Sequence, residues 1–125
     1  MKGNFDVEIA EKHSTTRRAT EQMLTENSNV YKQQVDQISS VFADNKKGLG
    51  QTQKLLINLG IAIYSGKDSA IDWSITRVLN HGGTADMVKE VIEIAALNGG
   101  TLSMSSVRMA YNVLELRKIN RKGSH

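Results

Sequence analysis

Two polar residues stand where this chain could carry out chemistry. Lys67 directly follows the helix-ending Gly66, and its ammonium group could hold a carboxylate substrate between helices. Ser74 lies further along, among apolar residues, where its hydroxyl could line a pocket. Each has a structural interpretation too: Lys67 as a solvated lysine beside Asp68, and Ser74 as a donor to the carbonyl one turn back. The sequence alone leaves both interpretations open.

Composition excludes several other kinds of chemistry. The chain contains no cysteine, so disulfides, thiolate nucleophiles, iron–sulfur clusters and cysteine zinc sites are ruled out. The histidines have no partners at metal-ligand spacing, and we therefore predict no metal site and no cofactor. His81 precedes Gly82 at a predicted helix end, where a cap that complements the helix dipole is favoured over catalysis.

The single tryptophan, Trp73, has three interpretations. It could form a pocket wall, contact a second subunit or belong to the ordinary core, because a large amphipathic ring suits all three places. Tyr64 and Tyr111 are interpreted as core residues. No base stands near the serines that follow Gly100, so a serine nucleophile is not predicted there.

The second half of the chain predicts four helices. Apolar residues recur at helical spacing, and each segment ends at a glycine signal: Ser65-Gly66, His81-Gly82-Gly83 and Asn98-Gly99-Gly100. The first of these helices, around residues 55–63, is apolar nearly all round, which predicts burial on most sides. Thr84 is expected to cap the third helix, and Thr101 or Ser103 to open the last. The apolar positions are Leu55, Leu56, Leu59, Ala62, Ile63, Ile71, Ile75, Val78, Leu79, Met87, Val88, Val91, Ile92, Ala95, Ala96, Met104, Val107, Ala110, Val113, Leu114 and Leu116.

The first fifty residues predict a helical N-terminal extension packed on the same domain. Asn27-Ser28-Asn29 indicates a break between helical segments. A weak apolar stripe follows at helical spacing, at Tyr31, Val35, Ile38 and Phe42. Residues 44–50 are expected to form a loop. Proline is absent and no period-2 strand is visible, so we predict a single all-α domain with an antiparallel helical hairpin and a core at 51–120.

Charge and hydropathy set further bounds. The formal net charge of +3 comes from cations in the C-terminal tail, where they complement the dipole of a long helix. A contact with nucleic acid or an acidic surface is the less favoured interpretation of these cations. No apolar run is long enough for a transmembrane helix and no secretion signal is visible, so a cytoplasmic location without membrane association is expected. Residues 123–125 are interpreted as a purification-tag remnant.

The stretch from Gln53 to Leu116, with its apolar helix ending at Gly66, its Gly-Gly-Thr turn and its Ala-Ala-Leu-Asn-Gly-Gly helix end, resembles the carboxymuconolactone decarboxylase family. That family includes the alkylhydroperoxidase D-like proteins, which are related in activity to peroxiredoxins. The resemblance implies an all-α fold and a homodimer, trimer or hexamer. Apolar residues on more than one helix face favour self-association independently.

The redox branch of this family uses a glutamate and a Cys-x-x-Cys-x-x-x-His motif. Position by position, the resemblance places the glutamate at Leu55, the two cysteines at Lys67 and Ala70, and the histidine at Ser74, so every reactive group is replaced. We expect a non-redox variant that binds a small acidic or apolar molecule, with Leu55, Ala70 and Trp73 lining the pocket. The alternatives are a cysteine-free lyase or decarboxylase that uses Lys67 and Ser74, and a helical oligomeric interaction protein with a basic C-terminal helix.

Overall fold

The computed structural model describes residues 19, 22–24 and 26–123, with side-chain surroundings given to residue 118. The predicted all-α class is confirmed, since this part of the chain contains helices and no strand. Its elements are α1 (Asn29–Val41), α2 (Gln51–Ser65), α3 (Asp68–Asn80), α4 (Ala85–Gly99), a 3-10 turn (Gly100–Ser103) and α5 (Met104–Gly123). None of these helices is long and apolar enough to span a bilayer.

Several sequence predictions concern residues outside the described ranges. Residues 1–18, 20, 21 and 25 of the predicted N-terminal extension are among them. Residues 124–125 of the predicted tag remnant also lie outside these ranges. Predictions for these residues stay predictions.

Glycines end α2 and α3 as their positions in the sequence predict. Gly66 adopts the left-handed conformation (φ 73°), and the following N–H of Lys67 donates to the Ala62 carbonyl at 3.1 Å. Gly82 is also left-handed (φ 91°). Thr84 caps α4 by accepting a hydrogen bond from the Met87 amide at 3.2 Å. Short turns therefore connect α2 to α3 and α3 to α4.

The start of α5 agrees with one of the two predicted positions. The chain makes a 3-10 turn over Gly100–Ser103, and α5 begins at Met104, directly after Ser103 and three residues after Thr101. The Ser103 hydroxyl donates to the Gly100 carbonyl at 2.9 Å within that turn. A side chain that bonds backward in this way closes the turn just before the helix.

The core lies between α2, α3, α4 and α5, where α2 packs on α3 and α4, and α5 packs on the same two helices. The buried positions match the predicted faces of these helices for most residues. The core side chains are Leu55, Leu59, Ala62, Ile63, Ile71, Ile75, Val78, Leu79, Val88, Ile92, Ala95, Val107, Ala110, Val113, Leu114 and Leu116.

Not every predicted apolar position is buried. The expectation that α2 is covered on most sides is wrong for the single chain, because Ile57 is 51% and Ile61 is 62% exposed. Met87 and Met104, predicted to pack, are exposed as well, and so is Tyr64. Four helices have only enough neighbours to cover one broad side of each, so the remaining apolar side chains face outward.

A buried ion pair joins α3 to α5. Asp72 is fully buried, and its Oδ1 accepts a hydrogen bond from Arg117 at 2.8 Å. Thr76 Oγ1, one turn along α3, also donates to this oxygen at 3.3 Å. A charge in an apolar core is costly unless it is paired and hydrogen-bonded, so this pair fixes how α5 lies on α3.

Helix α1 is attached to the rest of the fold by its C-terminal end. The backbone of α1 does not pack against α2–α5, and none of its residues is buried. Lys54 of α2 donates from Nζ to the Val41 carbonyl at 2.9 Å and to the Ala43 carbonyl at 2.7 Å. Its ammonium group thus satisfies carbonyls at the end of α1, where a cation is favoured by the helix dipole.

Candidate functional site

A cleft lies between α1 and the hairpin of α2 and α3. Its volume is about 570 Å³ and it is open to solvent on one side. This volume is typical of a site for a small molecule. The lining residues are Tyr31, Val35, Ile38, Ser39, Phe42, Gln51, Leu55, Asn58, Ser69, Ala70, Trp73, Arg77 and His81.

One wall of the cleft is aromatic. The rings of Trp73 and Phe42 have centroids 5.4 Å apart and are inclined by 57°. The Arg77 guanidinium carbon lies 5.3 Å from the Trp73 ring centroid, a cation–π contact. Trp73 is thus held between an aromatic neighbour and a cation, and is only partly buried.

The floor of the cleft carries a polar pair that bridges α2 and α3. Asn58 lines the cleft, and its Nδ2 donates to Ser74 Oγ at 2.7 Å. Ser74 is fully buried beneath it. Because the hydroxyl accepts this bond, the Asn58 side chain has a fixed direction at the cleft surface. Any influence of Ser74 on a ligand would therefore act through Asn58.

The C-terminal end of α3 supplies the ionisable groups of the cleft. Arg77 and His81 both line it, and His81 Nδ1 lies 2.8 Å from the Arg77 carbonyl oxygen, to which it donates. Thr52 Oγ1 donates to the His81 carbonyl at 2.9 Å and so ties this helix end to the start of α2. The described lining residues include neither aspartate nor glutamate.

The structure separates the sequence-predicted site residues into two groups. Leu55, Ala70 and Trp73 line the cleft. Lys67 is exposed at the N-cap of α3 and is not among the lining residues, while Ser74 is buried behind Asn58. The predicted catalytic pair, Lys67 and Ser74, is therefore not brought together at one surface of this cleft.

Sequence reasoning missed Asn58, Arg77 and the contribution of α1. Asn58 is the one amide within an otherwise apolar part of α2, three residues after Leu55, and this contrast was a usable signal. Arg77 stands four residues after Trp73 on a helix, which puts the two side chains side by side. The contribution of Tyr31 and Phe42 depends on how α1 folds back, and no local pattern reveals that.

The basic C-terminal helix is partly engaged within the chain. Arg117 pairs with Asp72, and Lys118 Nζ lies 3.3 Å from Glu115 Oε1. Arg108 is exposed. The side chains of Arg121 and Lys122 lie outside the described ones. In the part of the chain that is described, no group of three histidine, aspartate or glutamate side chains is placed to hold a metal ion.

Two solved structures share this arrangement of helices. Both are crystal structures of a protein from Thermotoga maritima, one of them described as a carboxymuconolactone decarboxylase family protein with a suggested part in an antioxidative response. The first has 23% sequence identity, a TM-score of 0.73, and coverage of 91% of this chain and 97% of that chain. The second has 22% identity, a TM-score of 0.71, and coverage of 90% and 98%.

Sequence comparison adds nothing to this structural likeness. No family sequence model matches the chain, and no curated protein sequence matches it significantly. The likeness extends over nearly the whole of both chains. This chain therefore has the all-helical fold of a carboxymuconolactone decarboxylase family protein.

Proposed function

We propose that this chain is a carboxymuconolactone decarboxylase-like protein that has lost thiol peroxidase chemistry and binds a small acidic or apolar molecule. The proposal rests on one observation. The cleft between α1, α2 and α3 is lined by apolar, aromatic and a few polar side chains. The sequence resemblance places Leu55, Lys67, Ala70 and Ser74 at the positions of the reactive groups. A site of this composition suits binding more than bond breaking.

The local structure explains what the replacements remove. Lys67 is the N-cap of α3, and Ala70 lies in its first turn. Helix N-termini favour negative charge, and cysteines there form reactive thiolates readily. A lysine and an alanine at these positions cannot form a disulfide or attack a peroxide. The position is suited to thiol chemistry, and the side chains for it are absent.

The absence of thiol chemistry gives a direct prediction. We expect no reduction of an alkyl hydroperoxide by the purified chain when a dithiol is the electron donor, because the chain has no cysteine to cycle. The loss of peroxide should be followed against a buffer blank, with a cysteine-containing peroxidase of the same fold as the positive control. Turnover well above the blank would contradict this prediction.

A cysteine-free lyase or decarboxylase that uses Lys67 stays a second prediction. Its support is that Lys67 is exposed at the start of α3, three residues before Ala70, which lines the cleft. Substituting Lys67→Met would abolish turnover of a lactone acid if Lys67 held its carboxylate. Activity equal to the parent chain would remove Lys67 from the mechanism.

We also propose that the chain associates with itself through an apolar strip on α2 and α4. The strip is defined by Ile57, Ile61, Tyr64, Ile94 and Leu97, all exposed in the single chain. The two helices lie side by side, since an added Cβ at Gly60 would be 3.6 Å from Val91 and one at Gly99 would be 3.7 Å from Tyr64. Apolar surface of this extent favours a subunit interface.

A further inference from the structure

We propose that the cleft selects flat aromatic carboxylates and that Arg77 is the residue that holds the carboxylate group. This inference rests on the proposed ligand-binding function and narrows its ligand class. Arg77 is neither at a reactive position of the family motif nor among the residues that the sequence singled out. Its placement beside the aromatic wall is what the structure adds.

The charge of the cleft favours an anion. Arg77 is the one formally charged side chain among the described lining residues. Asp44 lines a neighbouring recess and not this cleft, and its Oδ1 accepts from the Gln51 amide at 2.8 Å. A neutral or cationic ligand would leave the guanidinium without a counter-charge.

Arg77 is free to bind a carboxylate. Among the described residues its guanidinium has no carboxylate within ion-pair distance, and its contact is with the face of Trp73. Stacking uses the flat face of a guanidinium and leaves its N–H groups pointing outward in the plane. Those N–H groups form a fork that matches the two oxygens of a carboxylate.

The shape of the cleft favours a flat apolar body behind that carboxylate. Trp73, Phe42 and Tyr31 supply rings, and Leu55 and Ile38 supply aliphatic surface. Aromatic rings prefer offset or tilted neighbours, as the 57° inclination between Phe42 and Trp73 already shows. The aromatic ring of a ligand would add one more partner to this cluster of rings. The amide of Asn58 also lines the cleft and would lie beneath the ligand.

Arg77 also has a structural role, which the test must separate from binding. It lies in the last turn of α3, where a cation complements the helix dipole. A residue that served only this purpose would influence stability and would not distinguish an acid from its amide. The comparison of two matched ligands therefore isolates the carboxylate contact.

Benzoate and benzamide are suitable probes, because they share a ring and differ in charge. Binding can be followed by calorimetry and by the emission of Trp73, the only tryptophan of the chain. We expect benzoate to bind at least about tenfold more tightly than benzamide. Arg77→Gln should reduce benzoate affinity to the benzamide level and leave benzamide unchanged, with Arg77→Lys in between. Arg108→Gln, at an exposed position of α5, is the matched control and should change neither affinity.

The outcomes separate this inference from the proposed function. Equal binding of both probes, unaffected by Arg77→Gln, would overturn the role of Arg77 and leave the binding function standing. Absence of binding by either probe would overturn both. If Arg77→Gln does not fold, as judged by circular dichroism, salt titration of the parent chain decides: benzoate affinity should fall with added chloride and benzamide affinity should not.

Discussion

At the scale of single residues, the bond between Asn58 and Ser74 fixes a side chain at the surface of the cleft. The hydroxyl of Ser74 is buried and accepts from an amide that borders the cleft, so it sets the direction of its neighbour. The sequence resemblance places the histidine of the redox motif at this position. A buried serine there holds a side chain in place, and it offers no imidazole to move a proton.

Removing this hydroxyl gives the first stability prediction. Ser74→Ala should lower the free energy of unfolding by about 1 kcal/mol, because one hydrogen bond is lost while water in the cleft can still reach the Asn58 amide. Urea unfolding measures the change. Ser65→Ala is the control, since Ser65 is exposed and bonds only to carbonyls of its own helix, at Ile61 and Ala62. Equal effects of the two substitutions would contradict the structural role of Ser74.

The start of α3 should still support a reactive thiol. Lys67→Cys would place a sulfur at the N-cap, where the helix dipole favours the thiolate, and its pKa should lie at least about 1 unit below that of a thiol introduced by Asn80→Cys. Asn80 is the last residue of the same helix and is also exposed, so it makes a matched control. The pH dependence of alkylation gives both values. Equal pKa values for the two thiols would show that the start of α3 does not favour a thiolate.

At the scale of elements, the packing of α5 on α3 depends on the pair of Asp72 and Arg117. The carboxylate of Asp72 is buried on α3, and its partner Arg117 lies in the second half of α5. The ion pair and the bond from Thr76 require one alignment, which gives the helix pair its register.

Breaking this pair should be costly. Arg117→Met is expected to lower the free energy of unfolding by about 3–5 kcal/mol, because it leaves the Asp72 carboxylate buried without its cation. Thermal or urea unfolding measures the loss. Arg108→Met, on an exposed part of the same helix, should change stability by less than about 0.5 kcal/mol. A double variant with Asp72→Leu should recover much of the loss, and failure to recover would show that the charge was not the cause.

Whether a feature could be predicted depends on how far apart in the sequence its interacting residues lie. Helices α2, α3 and α4 and their ends could be predicted because periodic apolar residues, Gly66, Gly82 and Thr84 act over one or two turns. Asp72 and Arg117 are 45 residues apart in the sequence, and no local pattern indicates that their side chains pair. The resemblance implied a pocket lined by Leu55, Ala70 and Trp73, but the contributions of Arg77 and Asn58 could not be predicted, since they depend on how α1 lies over the hairpin.

At the scale of the whole molecule, one apolar strip stays exposed in the single chain. It is formed by Ile57, Ile61, Tyr64, Ile94 and Leu97. Leu97 is 84% exposed, a high value for a large apolar residue in a helix. By helical spacing, Ile57, Ile61 and Tyr64 lie on a different face of α2 from Leu55 and Asn58, which line the cleft. The proposed association and the proposed ligand binding would therefore use separate surfaces of one helix.

Self-association through this strip gives the last prediction. Ile61→Lys should shift the sedimentation coefficient toward that of a monomer, because a charge at the centre of the strip opposes burial. Asn80→Lys, an exposed substitution on α3, should leave the parent distribution unchanged. Analytical ultracentrifugation distinguishes the two. A parent chain that sediments as a monomer at all concentrations tested would contradict the proposal.

The attachment of α1 through Lys54 has a kinetic consequence for whatever occupies the cleft. One flexible ammonium group and the contact of Phe42 with Trp73 hold the helix that forms one side of the site. A helix held by so few contacts is expected to open locally more often than the whole domain unfolds. The residence time of the proposed ligand would then depend on how long the contacts of Lys54 and Phe42 persist, so strengthening either of them would slow dissociation without a new contact to the ligand.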